Sequence, residues 1–591
     1  MFSDNLLLQV QKPARYIGNE WNAIHKDFDK ALVRIALCFP DIYELGMSNF
    51  GIRVLYGILN EMQDVVCERV FHPAADAEQL LRAHSLALFS LESQRPLEGF
   101  DIIGFSLGYE LSYTNVLNIL DLAGIPLYSS QRASRHPLII AGGSCVLNPE
   151  PLAEFIDLFV IGEGEEAIKE IIDVYRRSKQ SNTAIDRDEI LYKLAQIQGV
   201  YVPSFYRAEY NQDGTLHSFV PKDNGIPSRI RKRIIQDLNQ AFFPTQWMVP
   251  HIQIIHDRIS LEAMRGCPNK CRFCQARSFY YPYRQRDPQV LLDLARQAYS
   301  NSGYEEISLL GLSVGDYCNV DKLLRDLIGI FKDKGVGISL PSIKAKDITG
   351  DLLSLITRIK KSGLTLAPEA GTDKLRRTLD KDLNIEEFFR TVEQAYALGY
   401  RHIKLYFMIG LPGETPQDLD GILDLSAQVS QLKKKVDKKA ADVTLSIASL
   451  IPKPHTPFQW LGMDDLDAIK RKQSYIFSKS RSLPKIKVDF HNRFMSFLEG
   501  VMSRGDRRLS NVIMRAWQKG CKFDAWSDNF VFERWLEAFR ESNIEPSFYL
   551  QRQRGDLELF PWDFIDIGIT KNLLRAQFDK ALTYSVNGSN I

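Results

Sequence analysis

The 591-residue sequence has few cysteines, almost no excess charge and no long apolar run. Each shortage excludes something. Lys plus Arg number 74 and Asp plus Glu 73, a net charge of +1, so no global basic field directs the chain to nucleic acid. No stretch approaches the roughly 18 apolar residues of a membrane span. The opening "MFSDNLLLQVQKPARY" has neither the basic start nor the apolar run of a secretory signal. Of eight cysteines, five (Cys38, Cys67, Cys145, Cys318, Cys521) are scattered, which is not a secreted disulfide framework. A reducing cytoplasm is the expectation, and there a tight cysteine cluster reads as metal-binding. Internal repeats and low-complexity tracts are absent, and the run "KKKVDKK" (433–439) reads as a solvated face.

What is present fits a soluble globular protein, with 45% hydrophobic and 25% charged residues. At roughly 150 residues per domain, the length allows about four domains. The first third alternates strand and helix signals: "VRIALCFP", "MSNFGIRVLYGILNEM", "DIIGFSLGYE", "TNVLNILDLAG", "PLIIAGGS" and "IDLFVIGEGEEAIKEII". This rhythm predicts a Rossmann-like parallel sheet over 1–175, helices on both faces. Ligands of such sheets sit beyond the strands' carboxyl ends. Gly142, Gly143, Gly162 and Gly164 lie there, where a missing side chain lets backbone approach a ligand.

A polar connecting region follows over 176–250, with a small β element around "GVYVPSFYRAEY" and "HSFVP". Six further strand signals, at 259–264, 306–312, 336–342, 364–368, 402–411 and 443–451, are mostly separated by helical segments. They predict a partial (β/α)6 TIM-type barrel over 251–470. Barrel sites gather at strand C-termini, so the loops holding "RGCPNKCRFC", "GLSVGDY", "APEAG" and "GLPGET" share one rim. The remainder, 471–591, reads as a mostly helical, aromatic and basic segment. It is expected to cap the barrel, with Trp517, Trp526 and Trp535 in its core, the alternative being recognition of RNA or another macromolecule.

Cys267, Cys271 and Cys274 stand at CxxxCxxC spacing. Thiolates ligate iron–sulfur clusters, and three of them hold three irons of a cubic cluster, leaving the fourth iron open. Arg265, Lys270, Arg272 and Arg277 are placed to favour the thiolate form. Phe273 can shield the cluster or pack on an adenine. The competing reading is a zinc loop completed by His251 or His256, at a spacing that matches no common zinc finger.

CxxxCxΦC in a loop after a barrel's first strand resembles the radical S-adenosylmethionine (SAM) superfamily, and the resemblance covers about 250–470. It implies a 4Fe-4S cluster whose open iron binds SAM through its methionyl amine and carboxylate. One electron then cleaves SAM to a 5′-deoxyadenosyl radical that abstracts hydrogen from substrate. "GLPGET", with Gly410, Leu411, Pro412 and Gly413, resembles the family's glycine-rich stretch beside the adenine. Ser313, Gly315 and Asp316 stand where the family usually carries Gly-Gly-Glu for the methionine amine. Glu369 ends a strand where the family often has a polar group for ribose or carboxylate; it could equally cap the next helix.

"PLIIAGGSCVLNPEPLAEFIDLFVIGEGEEAIKEII" resembles the end of the cobalamin-binding domain that precedes many such barrels. The resemblance implies cobalamin contacts at Ser106, Gly142, Gly143, Gly162, Glu163 and Gly164. The cobalt-ligating Asp-x-His-x-x-Gly is missing: the chain reads "DIYELGMSNFG", so a bound cobalamin would lack that lower ligand. Three functions stay open. One is a radical SAM enzyme making cobalamin-linked methyl transfer or related C–H functionalisation. Another is a methylthiotransferase with a second cluster on N-terminal cysteines, though "FSLGYE" lacks the middle one. The third is a non-catalytic cysteine-metal or cobalamin-binding protein. The substrate, whether small molecule, RNA or protein, is not read from these residues. The chemistry implies an electron donor such as flavodoxin or ferredoxin, and no membrane partner.

Overall fold

The structure, a computed structural model, describes residues 2–180, 186–339 and 364–586. It is an α/β protein built on two parallel sheet systems and a helical C-terminal segment. The first sheet has strands β1 (Val33–Phe39), β2 (Val65–Phe71), β3 (Ile102–Ser106), β4 (Leu138–Gly142), β5 (Leu158–Val160) and β6 (Val200–Tyr201), in the order β2-β1-β3-β4-β5-β6. The first five are parallel; β6 closes the edge antiparallel to β5. The strand order reverses between β1 and β3, the crevice where such sheets take ligands.

The helices arise where apolar residues recur with helical spacing and a polar residue can start the turn. Asn49 accepts the Ile52 N–H and opens helix Phe50–Glu61. Gly124, at φ 70°, follows helix Tyr113–Leu122, and only a residue tolerant of the left-handed region ends a helix there cheaply. β2 is the strand the apolar pattern hides. Its sequence VVCERVF is buried throughout, with a charged pair at its centre. Arg69 is held at 2.6 Å by both Glu20 and Glu92, and pairing is what allows charge inside a sheet.

The connecting region carries the small β element, a hairpin of β7 (Tyr206–Tyr210) and β8 (Leu216–Pro221). β9 (Ile230–Arg231) pairs with a strand from the far end of the chain, Ile565–Asp566. The six barrel strands all form: β10 (Ile259–Glu262), β13 (Glu306–Leu310), β14 (Gly337–Ser339), β15 (Leu364–Glu369), β16 (His402–Ile409) and β17 (Asp442–Ser449). A short antiparallel pair, β11 (Met264–Arg265) with β12 (Arg284–Gln285), frames the cysteine loop. Positions 340–342 of the third expected strand lie outside the described residues. β10, β13 and β14 form one parallel sheet; β15, β16 and β17 form another, extended by β18 (Ile486–Phe490). β18 lies in the stretch expected to be helical, because its alternation IKVDF is only half-buried and reads weakly as a strand.

The C-terminal helices do more than cap the barrel. Asn148 donates to the carbonyls of Ser503 and Gly505, Thr114 donates to Asp524, and Trp517 Nε1 donates to Asn118 at 3.2 Å. Trp535 is buried as expected, but Trp517 is half-buried and Trp526 is 37% exposed with its indole N–H on Asp41. These two tryptophans therefore face the first sheet domain rather than filling a barrel cap. Helix Lys571–Val586 returns to the barrel and packs on helix Asp373–Leu379. Among the described residues no helix is long and apolar enough to cross a membrane.

Candidate functional site

The cysteine loop runs from β11 to helix Gln275–Phe279. Gly266, at φ 86°, turns the chain into it; a Cβ there would lie 2.7 Å from the Pro282 carbonyl oxygen. All three thiols are half-buried, and those of Cys271 and Cys274 lie within electrostatic reach of each other and of Cys267. Burial pushes the Cys271 thiol up to about 11, a rise that Lys381 opposes. Burial also raises the Cys274 thiol, against the backbone N–H groups of Ala276 and Arg277 at the start of the next helix. The Cys271 and Cys274 thiols are thereby held protonated while free; a coordinating metal deprotonates a thiol outright.

Two of the expected local cations, Arg265 and Arg272, serve other partners. Arg265 is bound by three carboxylates, and Arg272 donates to the carbonyls of Arg377 and Thr378. The cation that reaches the thiols is Lys381, distant in sequence, paired at 3.3 Å with Glu369. Glu369 does not cap the next helix, whose N-cap is Thr372. It sits in the left-handed region at φ 69°, after a register shift in β15, with its carboxyl pushed up by burial beside Cys271 and Cys274. A non-glycine residue held there costs of order 1–3 kcal/mol.

Asp316 joins the loop from the other side. Asn269 donates 2.7 Å to Asp316 and 3.2 Å to the Cys267 sulfur, while Ser313 Oγ donates 2.7 Å to the same carboxylate. Gly315 lies in that 3-10 turn, Val314–Asp316. Phe273 packs against a cluster that includes Leu379, Ala370 and Leu411, which brings the "GLPGET" turn beside the cysteine loop. Gly410 and Gly413 take φ of 82° and 70°, and Pro412 stands half-buried between them. Glu414 accepts the Gly410 N–H at 3.0 Å and is neutralised by Lys472 at 2.7 Å. Neither His251, on the Gly18 carbonyl at 3.2 Å, nor His256 joins the thiols. Among the described residues, no three His, Cys, Asp or Glu side chains are grouped to hold a single metal ion.

A cavity of about 440 Å³ lies over the carboxyl ends of the first sheet. Ser106, Gly142, Gly143, Gly162, Glu163 and Gly164 all line it. So do Met264, Arg265 and Gly266, the residues leading into Cys267, and Leu310–Leu312 at the end of β13. The strand-end residues and the approach to the cysteine loop therefore share one chamber. No histidine is among its lining residues. Two of these glycines, Gly143 and Gly162, also answer to the fold itself. A Cβ on Gly143 would lie 2.4 Å from the Leu107 carbonyl oxygen, and one on Gly162 would lie 2.4 Å from that of Arg233. Both take positive φ, so the protein's own backbone requires them. Gly108, also in the lining, has no atom within 4 Å of a would-be Cβ and is the glycine that keeps space open.

Arg265 ties the two halves together. It meets Glu165 at 2.8 Å and Glu163 at 3.3 Å from the first sheet domain, and Glu262 at 3.0 Å from β10. Arg284 reinforces Glu163 at 2.6 Å. Sequence reasoning missed this network, as it missed Asn269 and Lys381. The one available signal was the "GEGEE" run of acids, which a purely local reading assigns to a helix N-terminus.

The family described as "Radical SAM superfamily" matches residues 261–426, and that described as "Radical SAM proteins, N-terminal" matches 51–203. The chain belongs to the radical SAM superfamily, and it is a radical SAM enzyme. The uncharacterized protein MJ0966 of Methanocaldococcus jannaschii is 26% identical over 517 residues, covering 87% of this chain and 98% of that one. The threonylcarbamoyladenosine tRNA methylthiotransferase MtaB of Bacillus subtilis is 27% identical over 205 residues, 33% of this chain. The match spans only 43% of that relative's length. Among solved structures, the radical SAM methyltransferase TsrM of Kitasatospora setae, with cobalamin and a 4Fe-4S cluster bound, shares the fold. Its TM-score is 0.53 at 12% identity, over 86% of this chain and 99% of that one.

Proposed function

We propose that the chain is a cytoplasmic radical SAM enzyme that holds cobalamin and carries out methyl transfer, or a related functionalisation, at an unactivated C–H bond. The observation that carries this is the shared chamber: strand ends of the first sheet on one wall, the approach to Cys267 on the other. The residues present fit both groups. Three half-buried thiols within electrostatic reach of one another suit a cluster with one open iron. A cavity floored by Ser106, Gly108 and Gly142 suits a broad planar macrocycle. When bound, the cluster with SAM supplies a carbon-centred radical and cobalamin supplies a methyl carrier.

This chain's residues position and insulate that chemistry. Cys267, Cys271 and Cys274 hold the cluster, and Asn269 fixes the Cys267 sulfur. Asp316, oriented by Ser313 and Asn269, faces the methionine amine. Gly410, Leu411, Pro412 and Gly413 form the adenine side with Phe273, while Glu369 and Lys381 supply a polar pair for ribose or carboxylate. Ser106, Gly142, Gly143, Gly162, Glu163 and Gly164 form the cobalamin side, without a histidine ligand. Electrons come from a carrier of the flavodoxin or ferredoxin kind.

The relationship to MtaB favours a second reading, a methylthiotransferase with a further cluster. Cys38, Cys67 and Cys145 are each fully buried, with their thiols pushed up by desolvation, which supports the first reading. Anaerobic reconstitution decides. About four irons per chain, retained corrinoid and reductant-dependent 5′-deoxyadenosine release are expected. About eight irons per chain would transfer the assignment to the second reading, and undiminished SAM cleavage without the three cysteines would overturn both.

A further inference from the structure

Lys232 follows directly on β9 (Ile230–Arg231) and is 1% exposed. An ammonium has three protons to give, and here carbonyl oxygens take all of them: Ser278 at 2.9 Å, Phe279 at 2.8 Å and Tyr281 at 2.8 Å. Burying an ammonium costs several kcal/mol, so the position is held for what it grips. Those carbonyls lie at the end of helix Gln275–Phe279, whose N-cap is Cys274. So short a helix has no stability of its own, and its last carbonyls lack partners within it. A cation at that end satisfies them and suits the helix dipole.

Both ends of the cysteine loop converge on the segment that Lys232 holds. At the exit, Ala276 and Arg277 turn backbone N–H groups to the Cys274 sulfur. At the entry, Gly266 packs against Tyr280, Pro282 and Tyr283 so closely that a Cβ there would lie within 2.8 Å of the backbone of all three, and Cys267 is the next residue. Lys232 is anchored in turn. Its own N–H donates 2.8 Å to the Asp566 carbonyl. Its side chain crosses Gly162, where a Cβ would lie 2.6 Å from the Lys232 Cγ, and Gly162 lines the chamber. The lysine is thus a strut from the sheet-end wall to both ends of the loop.

We infer that Lys232 is a positioning residue for the iron–sulfur site: it sets how the three thiols are presented to a cluster and ties that presentation to the sheet-end wall. The inference rests on the reading of Cys267, Cys271 and Cys274 as cluster ligands. The charged and titratable groups that face Lys232 are Glu163, Arg284, Asp566 and His455. Burial brings its ammonium down to about 7, against the pull of Glu163 and Asp566. Above that pH the neutral amine has two protons for three carbonyls. The test compares the full-length wild type with Lys232→Met, which keeps the length of the side chain and removes its donors. Both are reconstituted anaerobically, and iron content, the paramagnetic resonance spectrum of the reduced cluster and SAM affinity are measured. Similar iron is expected in both, with an altered spectrum and about tenfold weaker SAM binding in the variant, the size usual for loss of a group that supports metal ligands. In the wild type the spectrum, recorded without SAM, should change as pH rises through the lysine's own value; in the variant it should not. If Lys232→Met does not fold, the pH series on the wild type decides alone. An unchanged spectrum or unchanged SAM affinity in the folded variant overturns the inference alone, as does a wild-type spectrum that stays constant from roughly pH 6 to 8, one unit either side of that value. A wild-type chain that takes up no iron overturns the cluster reading and the inference together.

Discussion

The sheet-end wall of the chamber and the cysteine loop to which the chamber leads are built on opposite plans. The cysteine loop concentrates its chemistry in eight consecutive residues, Asn269 among them, and sets polar neighbours such as Lys381 and Glu369 beside them. The sheet-end wall is assembled from residues spread over more than 120 positions, mostly glycine and apolar side chains, with its charges drawn to one edge around Arg265. The loop makes bonds and the wall makes space. Substitutions should therefore fail differently on the two sides, chemically on the first and geometrically on the second.

The largest contrast is expected from the cysteines. Replacing all three with Ala should remove the iron and take 5′-deoxyadenosine release to background, while the thermal midpoint of the apo protein changes little. Iron analysis and a cleavage assay read this directly; retained iron would erase the distinction between loop and wall. Next comes the edge they share. Arg265→Met leaves Glu163, Glu165 and Glu262 buried with less positive charge. Breaking such a network costs about 3–5 kcal/mol. Scanning calorimetry should show a clear fall in midpoint, together with weaker corrinoid retention.

The sheet side also carries a pH signature through its C-terminal buttress. Asp524 accepts from Thr114 and Trp535, and burial raises its carboxyl to about 6. The folded state thus binds the proton more tightly than the unfolded chain. Its contribution is fully present below about pH 4 and is lost as pH rises through 6. A shift of that size is worth ~3 kcal/mol. Asp524→Asn should flatten this part of the stability profile between pH 4 and 7; an unchanged slope would remove Asp524 as its source. The smallest effects sharpen the geometry. Gly143→Ala places a Cβ at positive φ against the Leu107 carbonyl, at a cost of about 1–3 kcal/mol from backbone strain alone. Gly108→Ala has open space around it, so it should leave the midpoint unchanged and reduce only corrinoid affinity.

The same contrast explains what was legible. CxxxCxxC is contiguous, so its chemistry can be read from spacing, and the barrel strands are apolar runs whose periodicity survives in one dimension. The chamber is legible only at its glycine strand ends, and there only in part. Gly143 and Gly162 look free to approach a ligand until Leu107 and Arg233, from other segments, are seen to fill that side. β2 was hidden because Glu68 and Arg69 break its apolar pattern, and the partners that make the charge of Arg69 tolerable, Glu20 and Glu92, lie elsewhere in the chain. Lys381 carries no local mark at all. Residues whose meaning depends on a partner far along the chain are illegible until the chain is folded.

Helix Phe50–Glu61 has a consequence for mutagenesis. Because 3.6 residues make a turn, neighbours in its sequence look out on different rooms: Ile52 and Leu55 on the chamber, Arg53, Tyr56 and Asn60 on a second cavity of about 310 Å³. A saturation scan along these twelve residues should not yield a smooth gradient of sensitivity. It should yield two interleaved phenotypes, one tracking corrinoid retention and the other tracking thermal stability through the packing of Arg53 on Trp247, alternating with the pitch of the helix. A party wall of this kind lets ligand binding and stability select on a single stretch of gene while each reads different letters of it.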